Sequence, residues 1–399
     1  MASPHYKNYF GSAKDKKISL IWQTGLLCAD GLPISKPRCD GPEEGNDRET
    51  TMDERVTLRS HLDRSVSRTP NGSAVNAVVE AVASAAIELA DLIAHGPLAG
   101  MTGRLGGINS DGDRQRDIDL AADAMMQRAL RIPAVAAVLS EESELPEIFD
   151  ATAPLCIAID PLDGSANLEN NISVGTIFSI RPRGNDVLST FFEPGTAQCA
   201  AGFVVYGPQT KLIVAINGDV DAFLLDRRAN EFLLTERGVK IAHDTPEFAI
   251  NASNRRHWHG PVRAYIDQCV AGTSGNGDAD FNMRWIGSLV AESLRILVRG
   301  GVFLYPADAR PAYREGRLRL LYEAHPMALV MEWAGGAAIT GRRRVLELAA
   351  KTPHQRVPLI MGSLRGVRDV AAIHDAIEPM FDNSDAPLFA RRGLFLESR

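Results

Sequence analysis

The sequence predicts a mixed α/β protein of two lobes, and three observations carry that reading. The chain has 399 residues, more than one hydrophobic core usually serves. A few long stretches with helical periodicity stand beside many short apolar runs separated by turns. The pattern resets near Val239. The expected division is an N-terminal extension over 1–51, a first lobe over 52–240 and a second lobe over 241–399.

Residues 1–51 differ from the rest. From Ser35 to Thr51 the chain is rich in Pro, Gly and charge, a composition that buries too little apolar surface to offset chain entropy. This segment is expected to be disordered or loosely packed, with no catalytic part. Ala74–Ile93 follows as a strong amphipathic helix, with Asn71, Gly72 and Ser73 as start signals. Pro97–Asp113 is a long glycine-rich loop, and loops of that length are usually functional or mobile. Residues 116–131 read as a second helix that enters with Asp117 and Asp119.

Strands are expected at Val135–Ser140, Leu155–Ile159, Thr176–Ile180, Ala200–Tyr206, Leu212–Ile216 and Ala222–Leu225. In the second lobe they are expected at Phe248–Ala252, Val302–Tyr305, Leu318–Tyr322 and Ala337–Thr340, with a helix at Ser288–Val298.

Hydrophobic residues make up 45% and charged residues 23%, ordinary for a soluble protein, and the net charge of −7 argues against a nucleic-acid binder. Five scattered cysteines without C-x-x-C spacing argue against a disulfide framework or zinc cluster, so a reducing, cytoplasmic compartment is expected. No apolar run is long enough to span a membrane.

The most informative segment is Ile157-Ala-Ile-Asp-Pro-Leu-Asp-Gly-Ser-Ala-Asn167. An apolar strand is expected to stop at Asp160, because Pro161 cannot donate to a ladder. Asp163 follows three residues later, and Gly164 permits a tight turn. Two carboxylates so close repel unless a cation lies between them, and Mg²⁺ prefers such oxygen ligands. The turn is expected to aim the amides of Gly164, Ser165 and Ala166 at one point, as in an anion nest that runs into a helix N-terminus.

Three weaker clusters repeat the theme. Glu141 and Glu142 end the run that begins at Val138, and by themselves read as a solvated loop or a helix start. Asp119, with Asp113 shortly before it, reads by itself as a helix-face charge. In Gly316–Glu323 strict alternation would put Arg317, Arg319 and Glu323 on one face of a strand. That face suits either a phosphate-and-metal site or ordinary solvent. Ligands in open α/β sheets gather at strand carboxyl ends, where these acids fall.

Six stretches together resemble the class I fructose-1,6-bisphosphatase family, within the lithium-sensitive, inositol-monophosphatase-like superfamily. They are Gly112-Asp…Asp119, Ser140-Glu-Glu142, Asp160-Pro-Leu-Asp-Gly-Ser165, Ser173-Val-Gly-Thr-Ile-Phe178, Gly300-Gly-Val-Phe-Leu-Tyr-Pro306 and Gly316 through Gly336. The first Asp-Pro-Leu-Asp element indicates only the superfamily; the later elements point to the family.

The resemblance implies a layered αβαβα fold of two lobes, a homotetramer, and hydrolysis of the 1-phosphate of fructose 1,6-bisphosphate in gluconeogenesis or the Calvin cycle. Sedoheptulose 1,7-bisphosphate, or dual specificity, is the alternative. It implies Mg²⁺, two or three per site, with Mn²⁺ able to substitute. Glu141, Asp160, Asp163, Glu323 and the Leu162 carbonyl would be metal ligands. Asp119 and Glu142 would deprotonate the attacking water, and Asp113 would hold the mobile loop to the metal site. Asp163, the Gly164–Ala166 amides and Arg319 would face the 1-phosphate, with Arg317 reaching sugar and phosphate. Asn251, Tyr305 and Arg284 would bind the 6-phosphate end, Arg284 from a neighbouring subunit.

Departures from the family pattern matter as well. Ala166 replaces a common serine, Arg317 a lysine, and Asn254 and Trp285 two tyrosines, so two phosphate-binding hydroxyls are missing. Thr69–Ser73 replaces the AMP-binding helix start of animal members, which implies weak or absent inhibition by AMP there.

Overall fold

The computed structural model describes residues 55–65, 71–99, 105–108, 114–275 and 277–377. The extension over 1–51 and Asp113 lie outside these residues.

Helices α1 (Leu58–Ser65), α2 (Gly72–His95) and α3 (Asp117–Leu130) open the chain. Between α2 and α3 the backbone forms an antiparallel hairpin of β1 (Leu105–Ile108) and β2 (Arg114–Arg116), where the sequence reading expected only a loop. Eight strands follow: β3 (Val135–Ser140), β4 (Glu147–Ile148), β5 (Leu155–Asp163), β6 (Val174–Pro182), β7 (Ala200–Tyr206), β8 (Thr210–Ile216), β9 (Asp219–Asp226) and β10 (Glu231–Glu236), with the short helix α4 (Val187–Phe191) after β6. They form one sheet in the order β10-β9-β8-β7-β6-β5-β3-β4. Within this sheet, among the described residues, only β3 and β5 pair in parallel.

Side-chain alternation along β5 shows how the layers arise. Leu155, Ile157 and Ile159 face a core built with α1, α2 and α3, which includes Val78, Leu89 and Met126. Cys156 and Ala158 face the opposite core, built with residues of α6 (Leu289–Arg299) and α7 (His325–Trp333). The period of two sends neighbouring residues to opposite faces, so a strand buried on both faces reads as a continuous apolar run.

The second core also takes in one face of a second sheet, through Phe303 and Met361. That sheet has β11 (Glu247–Ala249), β12 (Asn282–Met283), β13 (Val302–Tyr305), β15 (Ala337–Ile339) and β17 (Leu359–Gly362), in the order β12-β11-β13-β17-β15. A separate pair joins β14 (Leu318–Arg319) to β16 (Arg356–Val357). The far face of the second sheet packs Val302, Leu304 and Ile360 against α5 (Gly260–Ala271) and α8 (Leu364–Ala376). The result is five layers, αβαβα. Among the described residues no helix is long and apolar enough to cross a membrane.

Two expectations are corrected here, and both bear on the site. β5 does not stop at Asp160 but continues through Pro161 to Asp163. The pairing with β6 shifts between Asp160↔Ile177 and Asp163↔Gly175, and at such a bulge the missing N–H of proline costs nothing. The Pro161 carbonyl still accepts from the Thr176 hydroxyl at 2.8 Å. The expected strand Leu318–Tyr322 keeps only Leu318 and Arg319; Leu320–Ala324 forms a π-helical turn that feeds α7. All five residues of that turn are buried, which a half-exposed alternating strand would not allow. Glu323 therefore reaches Arg319 by folding back, its carboxylate accepting from the Arg319 backbone N–H.

The start of α7 is anchored by a buried cation. Arg181, fully buried, donates from Nη1 to the Glu193 and Pro194 carbonyls at 3.1 and 3.0 Å, and from Nη2 to His325 Nδ1 at 2.9 Å. His325 in turn donates from Nε2 to the Leu348 carbonyl at 3.1 Å, and Gln198 Nε2 donates to the His325 carbonyl at 3.0 Å. Burial, reinforced by the Arg181 charge, lowers the His325 pKa to about 3, so the imidazole stays neutral and accepts at Nδ1.

Substituting Arg181→Met would leave the Glu193 carbonyl and His325 Nδ1 unpaired, while the Pro194 carbonyl keeps the Ala197 amide at 3.0 Å. At about 1–3 kcal/mol for each unsatisfied group, a loss of about 2 kcal/mol or more is expected in urea denaturation. A change below about 0.5 kcal/mol, the ordinary range for a surface substitution, would contradict this role.

Candidate active site

The site follows from the parallel pair. In the register of β3 and β5, Ser140 lies beside Ile159, so the next residue of each strand, Glu141 and Asp160, emerge side by side at the carboxyl edge. The Glu141 amide donates to the Ile159 carbonyl at 3.0 Å, which ties the two ends together. After the bulge, Asp163 returns to the ladder opposite Gly175. A Cβ at Gly175 would stand 2.2 Å from the Val204 carbonyl and 2.7 Å from Val290 Cγ1. Glycine there lets the first turn of α6 come down onto the sheet, and Asp163 Oδ2 accepts from the Val290 amide at 3.4 Å.

The π-helical turn supplies the next acid. Asp160, Asp163 and Glu323 each offer a carboxylate oxygen within 4.8 Å of the others. They are 3%, 9% and 7% exposed. Burial first, then the charge of Glu141 and the neighbouring acids, pushes Asp160 and Glu323 well above the usual carboxylate range. Asp163 rises to about 7 for the same reasons, opposed by the Val290 and Leu289 amides at the start of α6. Carboxylates crowded in this way hold protons or a cation, and an all-oxygen set suits a hard divalent metal. The Leu162 amide donates to Asp160 Oδ1 at 3.0 Å, which holds Leu162 in the same turn.

The cation at this edge is Arg319, 4% exposed, with Nη2 3.6 Å from Glu141 Oε1. Gly164 takes a left-handed conformation, φ 74°, and starts a 3-10 helix at Ser165–Asn170 that contains Ala166. Asp119 is buried in the first turn of α3, and Glu142 sits on the turn after β3, its amide bound to Ser140 Oγ at 3.2 Å. Neither belongs to the three-carboxylate group.

A separate small pocket has Asn251, Asn254, Tyr305, Arg310 and Arg317 in its wall. The Arg317 guanidinium lies over the rings of Tyr305 and Tyr313, 5.5 and 4.4 Å from their centroids. Tyr305 links the two regions. Burial raises its phenol, Arg317 pulls it down, and Glu323 and Asp163 push it up, so the ring feels both the pocket cation and the carboxylates. The sequence reading brought Asn251, Tyr305 and Arg317 to this pocket but missed Arg310, which no periodicity marks. Arg284 does not line it and instead sits 3.7 Å from Glu247. Trp285 stacks on Phe303 at 6.0 Å between centroids.

Comparison with known proteins identifies relatives over nearly all the described residues. The family model for the fructose-1-6-bisphosphatase N-terminal domain matches residues 57–237, and that for the C-terminal domain matches 241–375. A "fructose-1,6-bisphosphatase class 1 2" of Bradyrhizobium sp. (strain BTAi1) is 63% identical over 349 residues, covering 87% of this chain and 99% of the relative. A class 1 fructose-1,6-bisphosphatase of Bradyrhizobium diazoefficiens is 55% identical over 345 residues, 86% of this chain and 99% of the relative. Among solved structures, Leishmania major fructose-1,6-bisphosphatase in holo form aligns with a TM-score of 0.74 at 32% identity, over 80% of this chain and 99% of that one.

The crowded acids make a prediction of sign. A carboxylate whose folded pKa lies above its unfolded value contributes stability that is full below the unfolded pKa and is lost as pH rises through the folded one. The metal-free chain should therefore lose melting temperature at this site between about pH 5 and about pH 8, and an added divalent cation should restore more at the higher pH. Equal cation stabilisation at both pH values would contradict the assignment.

Proposed function

The chain belongs to the class 1 fructose-1,6-bisphosphatase family, and from that premise we propose that it hydrolyses the 1-phosphate of fructose 1,6-bisphosphate, giving fructose 6-phosphate and inorganic phosphate. It is a phosphatase hydrolase, and the names of its relatives favour the fructose over the sedoheptulose substrate. The observation that carries the reading is the grouping of three buried carboxylates with the buried Arg319 beside Glu141, together with a pocket lined by two more guanidinium groups whose Tyr305 feels the charge of Asp163 and Glu323.

The residues fit a metal centre. Asp160, Asp163, Glu323 and Glu141, with the Leu162 carbonyl, would hold Mg²⁺, two or three ions per site, with Mn²⁺ able to substitute. When bound, Mg²⁺ would neutralise phosphate charge and acidify water. Phosphate-ester hydrolysis asks little covalent work of a protein, so positioning and charge carry most of the rate.

Arg319 would bind the 1-phosphate oxygens from its fixed place beside Glu141, with Asp163 and the amides of Gly164, Ser165 and Ala166 framing the same group. Asp119 and Glu142 would take the proton of the attacking water. Asn251, Tyr305 and Arg317 would hold the 6-phosphate and the sugar, and Arg284 would reach the 6-phosphate of a second copy within a homotetramer. The two lobes would divide this labour, residues 52–240 with the metal and phosphate loop and 241–399 with the sugar phosphate. A cytoplasmic place in gluconeogenesis or carbon fixation accords with this chemistry.

Phosphate release from fructose 1,6-bisphosphate should require Mg²⁺ or Mn²⁺ and fall by about 10³-fold or more in Asp160→Ala, the scale for removing a preorganised electrostatic group. Metal-independent turnover, or a fully active Asp160→Ala variant, would refute the reading.

A further inference from the structure

The loop from Pro306 to Gly316 carries an arginine that the family resemblance does not assign. Arg310 lines the same pocket as Asn251, Tyr305 and Arg317. It is held by Asp308, a 4% exposed residue whose carboxylate takes Nε at 3.0 and 3.1 Å and also Nη2. Burial pushes the Asp308 carboxyl up, but hydrogen bonds and charge from Arg310 outweigh it and keep the group ionised below its ordinary pKa.

Asp308 is itself a firm anchor. Its backbone bridges Trp258, its amide donates to the Tyr313 carbonyl at 3.1 Å, and the next amide, of Ala309, donates to the His257 carbonyl at 2.9 Å. The guanidinium plane is set by Tyr313, 4.3 Å beneath it, and the same ring lies 4.4 Å from Arg317. Two guanidinium groups thus contact one aromatic ring and both line the pocket, where Asp308 pairs with Arg310. The fork to Asp308 uses Nε and Nη2 and leaves Nη1 without a hydrogen bond among the described residues. Oriented, still unspent donors beside a second cation suit the planar, multidentate recognition of a phosphate.

We propose that Arg310, oriented by Asp308, is a specificity residue that reads the distal phosphate of the sugar bisphosphate. The proposal rests on the sugar-bisphosphatase reading and deepens it. The tyrosine hydroxyls expected at this end by resemblance are absent, since Asn254 and Trp285 stand in their places and Trp285 is spent on Phe303. The donors of Arg310 supply that end of the pocket instead. Discrimination for a second phosphate then depends on the short segment Asp308–Arg310 of this chain.

The test compares kcat/KM for fructose 1,6-bisphosphate and fructose 1-phosphate in the wild-type chain, Arg310→Met and Arg310→Lys. Both substrates keep the scissile phosphate, and only one has the distal group. The ratio of the two constants, measured on one preparation, does not depend on the fraction of folded protein. In Arg310→Met the ratio should fall by about tenfold or more, the scale of one hydrogen bond to a charged group, and the loss should sit in the KM for the bisphosphate. Arg310→Lys, which keeps charge but not the fork, should fall between. An unchanged ratio, with both constants lowered alike or not at all, would overturn the proposal. A wild-type chain inactive on both substrates would overturn the phosphatase reading and this proposal with it.

Discussion

Repulsion among Glu141, Asp160, Asp163 and Glu323 is the constraint around which the molecule is arranged. Left to themselves in low dielectric, such groups protonate or move apart. Here the parallel register of β3 and β5 fixes the first two side by side, a bulge at Pro161 returns the third to the sheet, and a π-helical turn folds the fourth back over them. Gly175 admits the first turn of α6, whose amides take part of the charge of Asp163. Arg181, His325 and Gln198 brace the junction from which Glu323 projects. Each device makes sense as a means of holding like charges together until a cation joins them.

The second consequence is a pair of regions of unlike charge, joined through Tyr305. Arg317 and Arg319 lie two residues apart, yet they reach different places. Arg319 goes down to the carboxylates, and Arg317 goes out to the rings of Tyr305 and Tyr313. Tyr305 senses charges from both regions. A substrate with phosphate at each end of a short sugar matches this layout, since one end would meet the crowded acids with Arg319 and the other would meet Arg310 and Arg317.

Much of this was legible in the sequence where local physics decides the outcome. The runs Val135–Ser140, Ala200–Tyr206 and Val302–Tyr305 are strands at those same residues, because branched apolar side chains buried on both faces leave no other reading. The acids after Ser140 and Ile159 were visible for the same reason, as breaks in an apolar run. Four things were not. Pro161 stays inside a strand because its partner shifts register, a property of β6 rather than of the proline. Leu318–Glu323 alternates like a strand but turns, because the core on every side of Leu320–Ala324 outweighs local pattern. Arg310 looks like any loop cation until the fold brings Asp308, Tyr313 and Arg317 around it. The strand Glu231–Glu236 was missed for a plainer reason, its polar ends and its place at the edge of the sheet.

The central claim is that the crowded carboxylates are a cation site in waiting. Calorimetric titration of Mg²⁺ at neutral pH, in buffers of different ionisation enthalpy, tests it most directly. The account requires protons to be released as the cation binds, because Asp160, Asp163 and Glu323 hold protons more tightly than free carboxylates do. It also requires weaker binding with fewer protons released in Glu323→Gln. Binding with no proton release, and undiminished in that variant, would contradict it.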